Sequence, residues 1–298
     1  MKLKLSAVIV ALLGVAALLL SHVVAPRVSA AGATTRPAAA AATCRGTAKP
    51  AHWHHVIWVW MENKAYGDII GSAGSPYLNS LARECGLATS YYGIRYPSLP
   101  NYLAATSGST HGVTNDGLPS AHRISGPSIF SQAGGRSLER SMPVNCDLSN
   151  AYPYMVKHNP AAYYVDSRAQ CRHDDIGLSR SPNFAAPFTF VTPNMCEDSH
   201  DCTSAVGDRW LSQFVPQVLG SPQYAAGDTL LVVTFDTDDH SAGNHVATVL
   251  VAPSIRRGMR SGTRYTHYSL LRTTEELLGR PLLGAAGQAT SMRAGFGL

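Results

Sequence analysis

Several common catalytic signatures are missing from this chain of 298 residues. It contains no G-x-S-x-G nucleophile elbow, no H-E-x-x-H zinc motif, no P-loop and no G-x-G-x-x-G turn. Cysteine is scarce, with six residues and no C-x-x-C pair, which argues against a cysteine-ligated metal site. These absences speak against the common serine hydrolases, zinc proteases, P-loop nucleotidases and dinucleotide-binding enzymes.

The first thirty residues have the layout of a secretory signal peptide. Two lysines precede an apolar run over residues 5–20, and three small residues at 28–30 suit a cleavage site. The run is long for a leader, so an uncleaved N-terminal anchor is the alternative. No later segment is long and apolar enough to cross a bilayer. We therefore expect a secreted protein with no stable membrane span in its mature chain.

Composition divides the remaining chain into two parts. Residues 31–50 are rich in Ala, Thr and Pro, which is typical of a flexible spacer. Residues 51–298 are enough for one α/β domain with a sizeable core.

The positive charge of the chain comes mostly from the predicted leader. The formal net charge is +5, but the first thirty residues hold three basic residues and no acid. The rest has 21 basic against 19 acidic residues, an excess of only +2. This balance gives no reason to expect a nucleic acid or an anionic membrane as partner.

All six cysteines lie beyond the leader, and their even number favours disulfides in an exported protein. Cys196 and Cys202 could close a short loop, and Cys146 and Cys171 a local one. Six cysteines permit fifteen pairings, so the full connectivity stays open.

Four continuous apolar runs predict strands that are buried on both faces, as in a parallel sheet. They cover residues 56–60, 188–191, 230–235 and 246–252. Apolar faces with helical spacing alternate with them, at residues 76–84, 210–218 and 270–278. The pattern predicts an α/β fold, a three-layer α/β/α sandwich around a mostly parallel sheet. Residues 118–187, rich in Pro, Ser, Gly and His, predict long loops over the sheet edge.

Polar residues follow two of these predicted strands directly. Glu62 and Asn63 come after the first run, and Asp236 comes after the third. Ligands bind beyond the carboxyl ends of the strands in such sheets, so these side chains should meet in one crevice. Their oxygen atoms suit a divalent cation, although solvated strand ends are the alternative.

A serine between two prolines is the candidate nucleophile. Pro97 favours an extended chain before Ser98, and Pro100 suits the first turn of a helix over residues 99–106. The N-terminal N–H groups of that helix could bind an anion while Ser98 attacks phosphorus and Asn101 holds the phosphoryl oxygens. The alternative is that Ser98 only caps the helix and Asn101 packs in a loop.

Further polar residues complete the set of candidates. Three acids within residues 236–239 repel one another unless a cation or solvent offsets their charge, which makes Asp238 a possible metal ligand. His200, between two cysteines, suits a proton donor to a leaving oxygen. Lys157 and His158 offer a cation and an imidazole for the substrate. Since the chain has twelve histidines, a structural role is the alternative for each of them.

The ordered set of motifs resembles the bacterial phosphoesterase family of the alkaline phosphatase superfamily, which includes secreted acid phosphatases and phospholipases C. The likeness spans residues 54–298 and is carried by residues 55–64, 97–102, 193–200, 234–236, 244–245 and 266–272.

This resemblance implies an alkaline-phosphatase-like fold and a serine that is phosphorylated during the reaction. Ser98 matches the nucleophile, and Asn101 resembles the amide that helps to bind the phosphoryl group. Glu62, Asn63 and Asp236 match metal-binding positions, with one divalent ion expected rather than two. His245, in the segment 244–245, is a candidate for substrate binding.

One position departs from the family pattern. The family commonly has a second acid directly after Asp236, where this chain has Thr237. Either the Thr237 hydroxyl or a carboxylate of Asp238 or Asp239 would have to take its place.

We therefore expect a secreted, metal-dependent phosphoesterase that hydrolyses small phosphomonoesters through a phosphoserine. A phospholipase C acting on phosphodiesters is one alternative, less favoured because no lipid-binding module is evident. A catalytically inactive protein that binds phosphate or a glycan is the other, and Thr237 leaves it open. The sequence gives no indication of oligomeric state.

Overall fold

The computed structural model describes residues 43–298. The predicted leader and most of the predicted spacer lie outside the described residues. Ten strands are present: β1 His55–Met61, β2 Gly86–Ala88, β3 Tyr91–Tyr92, β4 Arg136–Glu139, β5 Asp175–Gly177, β6 Phe188–Thr192, β7 Thr229–Phe235, β8 Thr248–Val251, β9 Arg260–Ser261 and β10 Tyr265–Thr266. The α-helices are α1 Tyr66–Ile69, α2 Pro76–Glu84, α3 Ser98–Ser107, α4 Ile129–Ala133, α5 Arg168–Asp174, α6 Ser204–Leu219, α7 Pro222–Ala225, α8 His267–Leu277 and α9 Arg293–Phe296. Three 3-10 turns cover Val156–His158, Pro160–Tyr163 and Gly284–Gln288.

An eight-stranded sheet forms the centre, in the order β5-β4-β6-β1-β7-β8-β2-β9. The long strands β1 and β7 lie side by side and parallel, with β6 parallel on the other side of β1. β8 alone is antiparallel to both of its neighbours. The mostly parallel sheet is thus confirmed, but residues 246–252 do not give another parallel strand. A strand that is buried on both faces has the same apolar pattern in either direction, so the pattern did not reveal this orientation.

Side chains of β1 alternate between two layers of helices, because successive residues of a strand point to opposite faces. Trp58 Nε1 donates a hydrogen bond to Thr274 Oγ1 of α8, at 3.1 Å. Met61 points to the opposite face, where a Cβ on Gly207 of α6 would lie 2.8 Å from its terminal methyl group. This arrangement confirms the three-layer sandwich.

The region from residue 118 to 187 contains more regular secondary structure than expected. It contributes β4 and β5, which extend the sheet beyond β6 at one edge. Both strands are short and carry polar residues, so no apolar run marks them in the sequence. They replace the loops that the composition predicts there.

Three disulfides link the described residues: Cys44–Cys85, Cys146–Cys171 and Cys196–Cys202. The last two are the predicted pairs. Cys44 is buried in the core, and Arg45 N–H donates to Pro253 O at 3.2 Å. The ordered domain therefore includes residues that we expected in the spacer. Among the described residues, no helix has the length and apolarity needed to span a membrane.

Glu275 of α8 provides a test of the core electrostatics. It is fully buried, with Leu283 N–H donating to Oε1 at 3.0 Å. Burial raises the pKa of Glu275 to about 8; the Leu283 hydrogen bond opposes this increase, and the charge of Glu276 adds a smaller one. A raised acid pKa favours the folded state below the unfolded pKa and loses this contribution as pH rises through the folded value.

We therefore expect the melting temperature of Glu275→Gln to fall less than that of the wild type between about pH 5 and pH 8. The amide cannot ionise and keeps the acceptor for Leu283. Differential scanning calorimetry across this range would measure the effect, with Glu84→Gln, at the partly exposed end of α2, as the matched control. If the melting temperatures of wild type and Glu275→Gln fell by the same amount over this pH range, the prediction would be wrong.

Candidate active site

The ends of β1 and β7 bring two acids together at the carboxyl edge of the sheet. Met61 pairs with Phe235 in the register, so the next residues, Glu62 and Asp236, emerge side by side. Both are fully buried. Asn63 N–H donates to Asp236 Oδ1 at 3.2 Å, which links the two strand ends directly. The convergence expected from the strand pattern is therefore present.

Ser98 reaches the same point from α3. It is the first residue of this helix, which begins one residue before the predicted range and ends one residue after it. Its hydroxyl donates to Glu62 Oε2 at 3.0 Å. One turn later, Tyr102 OH donates to Glu62 Oε1. The helix thus holds the serine against the buried acid.

A cavity of about 300 Å³ opens onto Ser98. Its walls are almost entirely polar or charged, which suits an ionic ligand. They are formed by Asn63, Lys64, Tyr96, Pro97, Ser98, Asp116, Lys157, His200, Thr237, Asp238, Asp239 and His240.

Two histidines and a third acid lie beside Glu62. The ring nitrogens of His158 are 3.2 Å from Glu62 Oε1 and 3.3 Å from Asp198 Oδ2. Asp198 is fully buried in the loop between Cys196 and Cys202, and its Oδ1 accepts from His200 N–H at 2.7 Å. One donor atom each of Glu62, His158 and His200 lie within 4.8 Å of one another.

The surroundings of the three buried acids disfavour their ionised forms. Burial raises the pKa of Glu62 well above its usual range, and the charges of Asp236 and Asp198 raise it further. Burial also raises the pKa of Asp236 and of Asp198. By contrast, burial and the neighbouring Lys157 lower the pKa of His158, which keeps its imidazole neutral.

These residues fit a divalent cation. Within residues 43–298, the buried atoms Asp236 Oδ2, Asp198 Oδ2 and His158 Nε2 make no hydrogen bond, because the short contacts of His158 with Glu62 and Asp198 do not have hydrogen-bond geometry. Carboxylate oxygens and neutral imidazole nitrogens are usual ligands of such ions, and a cation would offset the mutual repulsion of the acids. Glu62, Asp198, Asp236 and His158 are the residues that would hold it, with His200 close by.

Comparison with known proteins identifies the family of this chain. The Phosphoesterase family matches residues 71–280. The chain belongs to this family. It is therefore a hydrolase that acts on phosphoric ester bonds.

Two relatives illustrate the range of the phosphoesterases. The chain is 30% identical over 246 residues to a phosphatidylinositol-3-phosphatase of Mycobacterium tuberculosis, covering 79% of this chain and 80% of that protein. It is also 30% identical over 282 residues to a phosphate-repressible acid phosphatase of Penicillium chrysogenum, covering 86% of this chain and 66% of the fungal protein. The chain thus spans about two thirds of the fungal relative.

Solved structures support the fold. A protein of the alkaline phosphatase superfamily from Vibrio parahaemolyticus matches with a TM-score of 0.54 at 12% identity, over 85% of this chain and 74% of that chain. A phosphonate monoester hydrolase from Silicibacter pomeroyi matches with a TM-score of 0.51 at 13% identity, over 80% of this chain and 76% of that chain. At this level of identity the likeness concerns the fold alone.

Asn101 does not face the cavity of the phosphoesterase. It is fully buried, and its Oδ1 accepts from the N–H groups of Ile94 (2.7 Å) and Arg95 (3.2 Å). Its Nδ2 donates to the carbonyls of Arg95 and Pro97. Because its amide is saturated by the backbone, Asn101 positions the loop before Ser98 and does not hold phosphoryl oxygens as expected.

Asp238 is also not available as a metal ligand. Its Oδ1 accepts from Tyr96 OH and His240 N–H, and its Oδ2 accepts from the N–H groups of Ala242 and Asn244. Although burial opposes the effect, these hydrogen bonds lower the pKa of Asp238. The carboxylate therefore orders its own loop and clamps Tyr96 beside Ser98.

His245 lies outside the group that lines the cavity. Its ring is stacked between Tyr66 and Tyr92, with ring centroids 4.4 Å and 5.0 Å away. Its Nε2 is 3.1 Å from Thr89 O. These contacts give His245 a structural role and do not support the expected contact with substrate.

Thr237 takes up the position of the expected second acid without replacing its charge. Its hydroxyl donates to Asn63 Oδ1 at 2.9 Å. Thr237 thus fixes the side chain of Asn63 at the cavity wall, and both residues remain beside Asp236.

The sequence did not predict three residues that contact the site. Asp198 lies within the segment 193–200, but its residue type and spacing did not mark it as a ligand. Asp116 accepts a hydrogen bond from Leu99 N–H although it is distant in sequence, and Tyr102 donates one to Glu62 from the next turn of α3. Only the spacing of Tyr102, four residues after Ser98, could have suggested its place on the same helix face.

We expect cations to stabilise this phosphoesterase. Treatment with chelator should lower the melting temperature, and Mn²⁺ or Zn²⁺ should raise it by several degrees, because bound cation offsets the repulsion among the buried acids. Asp236→Asn should lose most of the response in scanning calorimetry. Asp239→Asn, at the exposed rim, should keep it. A wild-type protein that responds to neither chelator nor cations would argue against a metal site.

Proposed function

We propose that this phosphoesterase is a secreted, metal-dependent phosphomonoesterase that forms a phosphoserine at Ser98. The observation that carries the proposal is the position of the Ser98 hydroxyl. It lies at the N-terminus of α3, bonded to Glu62 Oε2, at the wall of a charged cavity. This combines a nucleophile, a proton acceptor and an environment for a phosphate group.

In the first step Ser98 Oγ attacks phosphorus and its proton passes toward Glu62 Oε2. The bond between phosphorus and the leaving oxygen breaks on the opposite side. Tyr102 supports Glu62 through its hydrogen bond to Oε1, so the carboxylate keeps its orientation. A divalent cation held by the neighbouring acids would supply Lewis-acid activation of the hydroxyl and would neutralise charge on the phosphoryl group.

The departing oxygen needs a proton, and His200 is the candidate to deliver it. Lys157 Nζ lies 3.2 Å from His200 Nε2 inside the cavity. Although burial opposes the effect, the charges of Glu62 and Asp116 raise the pKa of Lys157, so it remains a proton-bearing ammonium. The Lys157–His200 pair therefore places a proton at the cavity wall for the leaving oxygen. In the second step, water hydrolyses the phosphoserine and releases phosphate.

The size of the cavity favours small phosphomonoesters as substrates. A volume of about 300 Å³ is at the lower end of the range for small-molecule sites. The relative from Penicillium chrysogenum is named an acid phosphatase, which agrees with such substrates.

Secretion is supported by the disulfides. Three disulfides in one domain are typical of oxidising compartments and are rare in the cytosol. Together with the predicted leader, they favour an extracellular enzyme.

Replacement of the nucleophile tests the central claim. We expect Ser98→Ala to lower the turnover of nitrophenyl phosphate on the order of 10⁶-fold, because the variant lacks the hydroxyl that is proposed to attack phosphorus. Mass spectrometry of acid-quenched wild type should detect a phosphoryl group on the peptide that contains Ser98. Ser107→Ala, on the same helix but bonded to Leu103 O, is the matched control and should remain active. Near-normal turnover by purified Ser98→Ala would overturn the mechanism.

The role of His200 can be tested with leaving groups of different basicity. His200→Gln should slow hydrolysis of alkyl phosphates about 10²–10⁴-fold but affect nitrophenyl phosphate much less, because nitrophenolate needs little help from an acid. Steady-state kcat/KM values for both substrates measure this difference. His240→Gln, at the rim, serves as the control. An equal loss for both leaving groups would exclude His200 as the general acid.

A further inference from the structure

Asp116 connects two groups that would otherwise face a bound phosphate. It lies in the segment after α3, and its Oδ1 accepts from Leu99 N–H at 3.0 Å. Its Oδ2 accepts from Lys157 Nζ at 3.2 Å. One carboxylate therefore bridges the N-terminus of the nucleophile helix and a cation in the wall of the cavity.

The two partners of Asp116 are groups that proteins commonly use to bind phosphoryl oxygens. Leu99 N–H directly follows Ser98 at the helix N-terminus, where the helix dipole favours an anion. Pro97 and Pro100 offer no N–H at this end of the helix. Lys157 provides a full positive charge, and its side chain is only 13% exposed. The two oxygens of Asp116 thus take the hydrogen bonds that two oxygens of a phosphate would take.

The place of Asp116 is set by its backbone and does not depend on Lys157. Gly117, the next residue, accepts a hydrogen bond from Tyr163 OH at 2.9 Å, and Tyr163 is fully buried. The Asp116 side chain is 27% exposed, so it borders the space into which a substrate enters. Loss of its charge should therefore leave the loop in place.

We propose that the Asp116 carboxylate competes with phosphate for Leu99 N–H and Lys157 and thereby sets the affinity of the site for phosphate. This inference rests on the proposed function, because it takes Ser98 as the point of attack. A phosphate anion must displace the Asp116 carboxylate from these groups or lie next to it, and like charges at such distances repel. The competition weakens the binding of released inorganic phosphate, so that the product leaves and the enzyme resists product inhibition.

The test compares phosphate affinity in Asp116→Asn and wild type. The amide keeps an oxygen that accepts from Leu99 N–H but removes the negative charge. We expect the inhibition constant for inorganic phosphate, measured against nitrophenyl phosphate, to fall about tenfold. Asp239→Asn removes one negative charge from the same cavity without touching either group and should change the constant about twofold or less.

Unchanged or weaker inhibition by phosphate in Asp116→Asn would overturn the proposal. An equal fall of the inhibition constant in Asp239→Asn would overturn it too, because the loss of any negative charge in the cavity would then explain the result. If Asp116→Asn does not fold, as judged by its thermal transition, Asp116→Ser gives the same comparison.

Calorimetric titration of inorganic phosphate into the Ser98→Ala protein, with and without Asp116→Asn, separates this proposal from the proposed function. Activity that survives Ser98→Ala would refute the phosphoserine mechanism. The change in phosphate affinity with Asp116→Asn would still support or refute the competition.

Discussion

The structure depends on three carboxylates that are buried together at the carboxyl edge of one sheet. Glu62, Asp198 and Asp236 are fully buried, and in the described part of the chain Lys157 is the one cation that lowers the pKa of more than one of them. Burial and mutual repulsion disfavour their ionised forms, which is costly for the fold unless a positive charge offsets it. A binding site for a divalent cation is the simplest physical reason to keep such a cluster. One of these carboxylates, Glu62, also orients the hydroxyl of Ser98 through a hydrogen bond.

Ser98, the proposed nucleophile, is held by side chains that do not themselves face the cavity as ligands. Asn101 uses its amide to fold the loop before Ser98, and Asp238 clamps Tyr96 on the other side of that loop. Neither side chain is free to bind a ligand, because each is saturated by donors or acceptors of the protein. A layer of satisfied hydrogen bonds therefore surrounds Ser98, whereas Asp198 Oδ2, Asp236 Oδ2 and His158 Nε2 are buried without one.

Charge in the cavity is balanced in a way that suits turnover. Lys157 contacts both Asp116 and His200, so its ammonium serves a carboxylate and an imidazole at once. A phosphate that enters this network meets groups that already have partners. If Asp116 competes with phosphate as proposed, the binding of substrate and product would both be weakened, which would favour release of the anion after each cycle.

Much of the fold, and the placement of Ser98 and the strand-end acids, could be predicted from the pattern of neighbouring residues in the sequence. The continuous apolar runs marked β1, β6 and β7, and the prolines around Ser98 marked the start of α3, because burial and backbone restriction leave a trace within a few residues. The edge strands β4 and β5 and the direction of β8 were not predictable in this way. Short polar strands have no periodic signal, and direction depends on pairing partners far away in sequence.

The sequence by itself pointed to Ser98 as the candidate nucleophile, and it placed the acids at the strand ends and two of the three disulfides. These follow from residue chemistry and from neighbours along the chain. Only the tertiary structure decided that His158 and Asp198 join Glu62, that Asp238 and His245 serve the scaffold, and that Asp116 returns to the first turn of α3. The direction of a side chain and its hydrogen-bond partners depend on packing between distant segments, and no local pattern of residues records that packing.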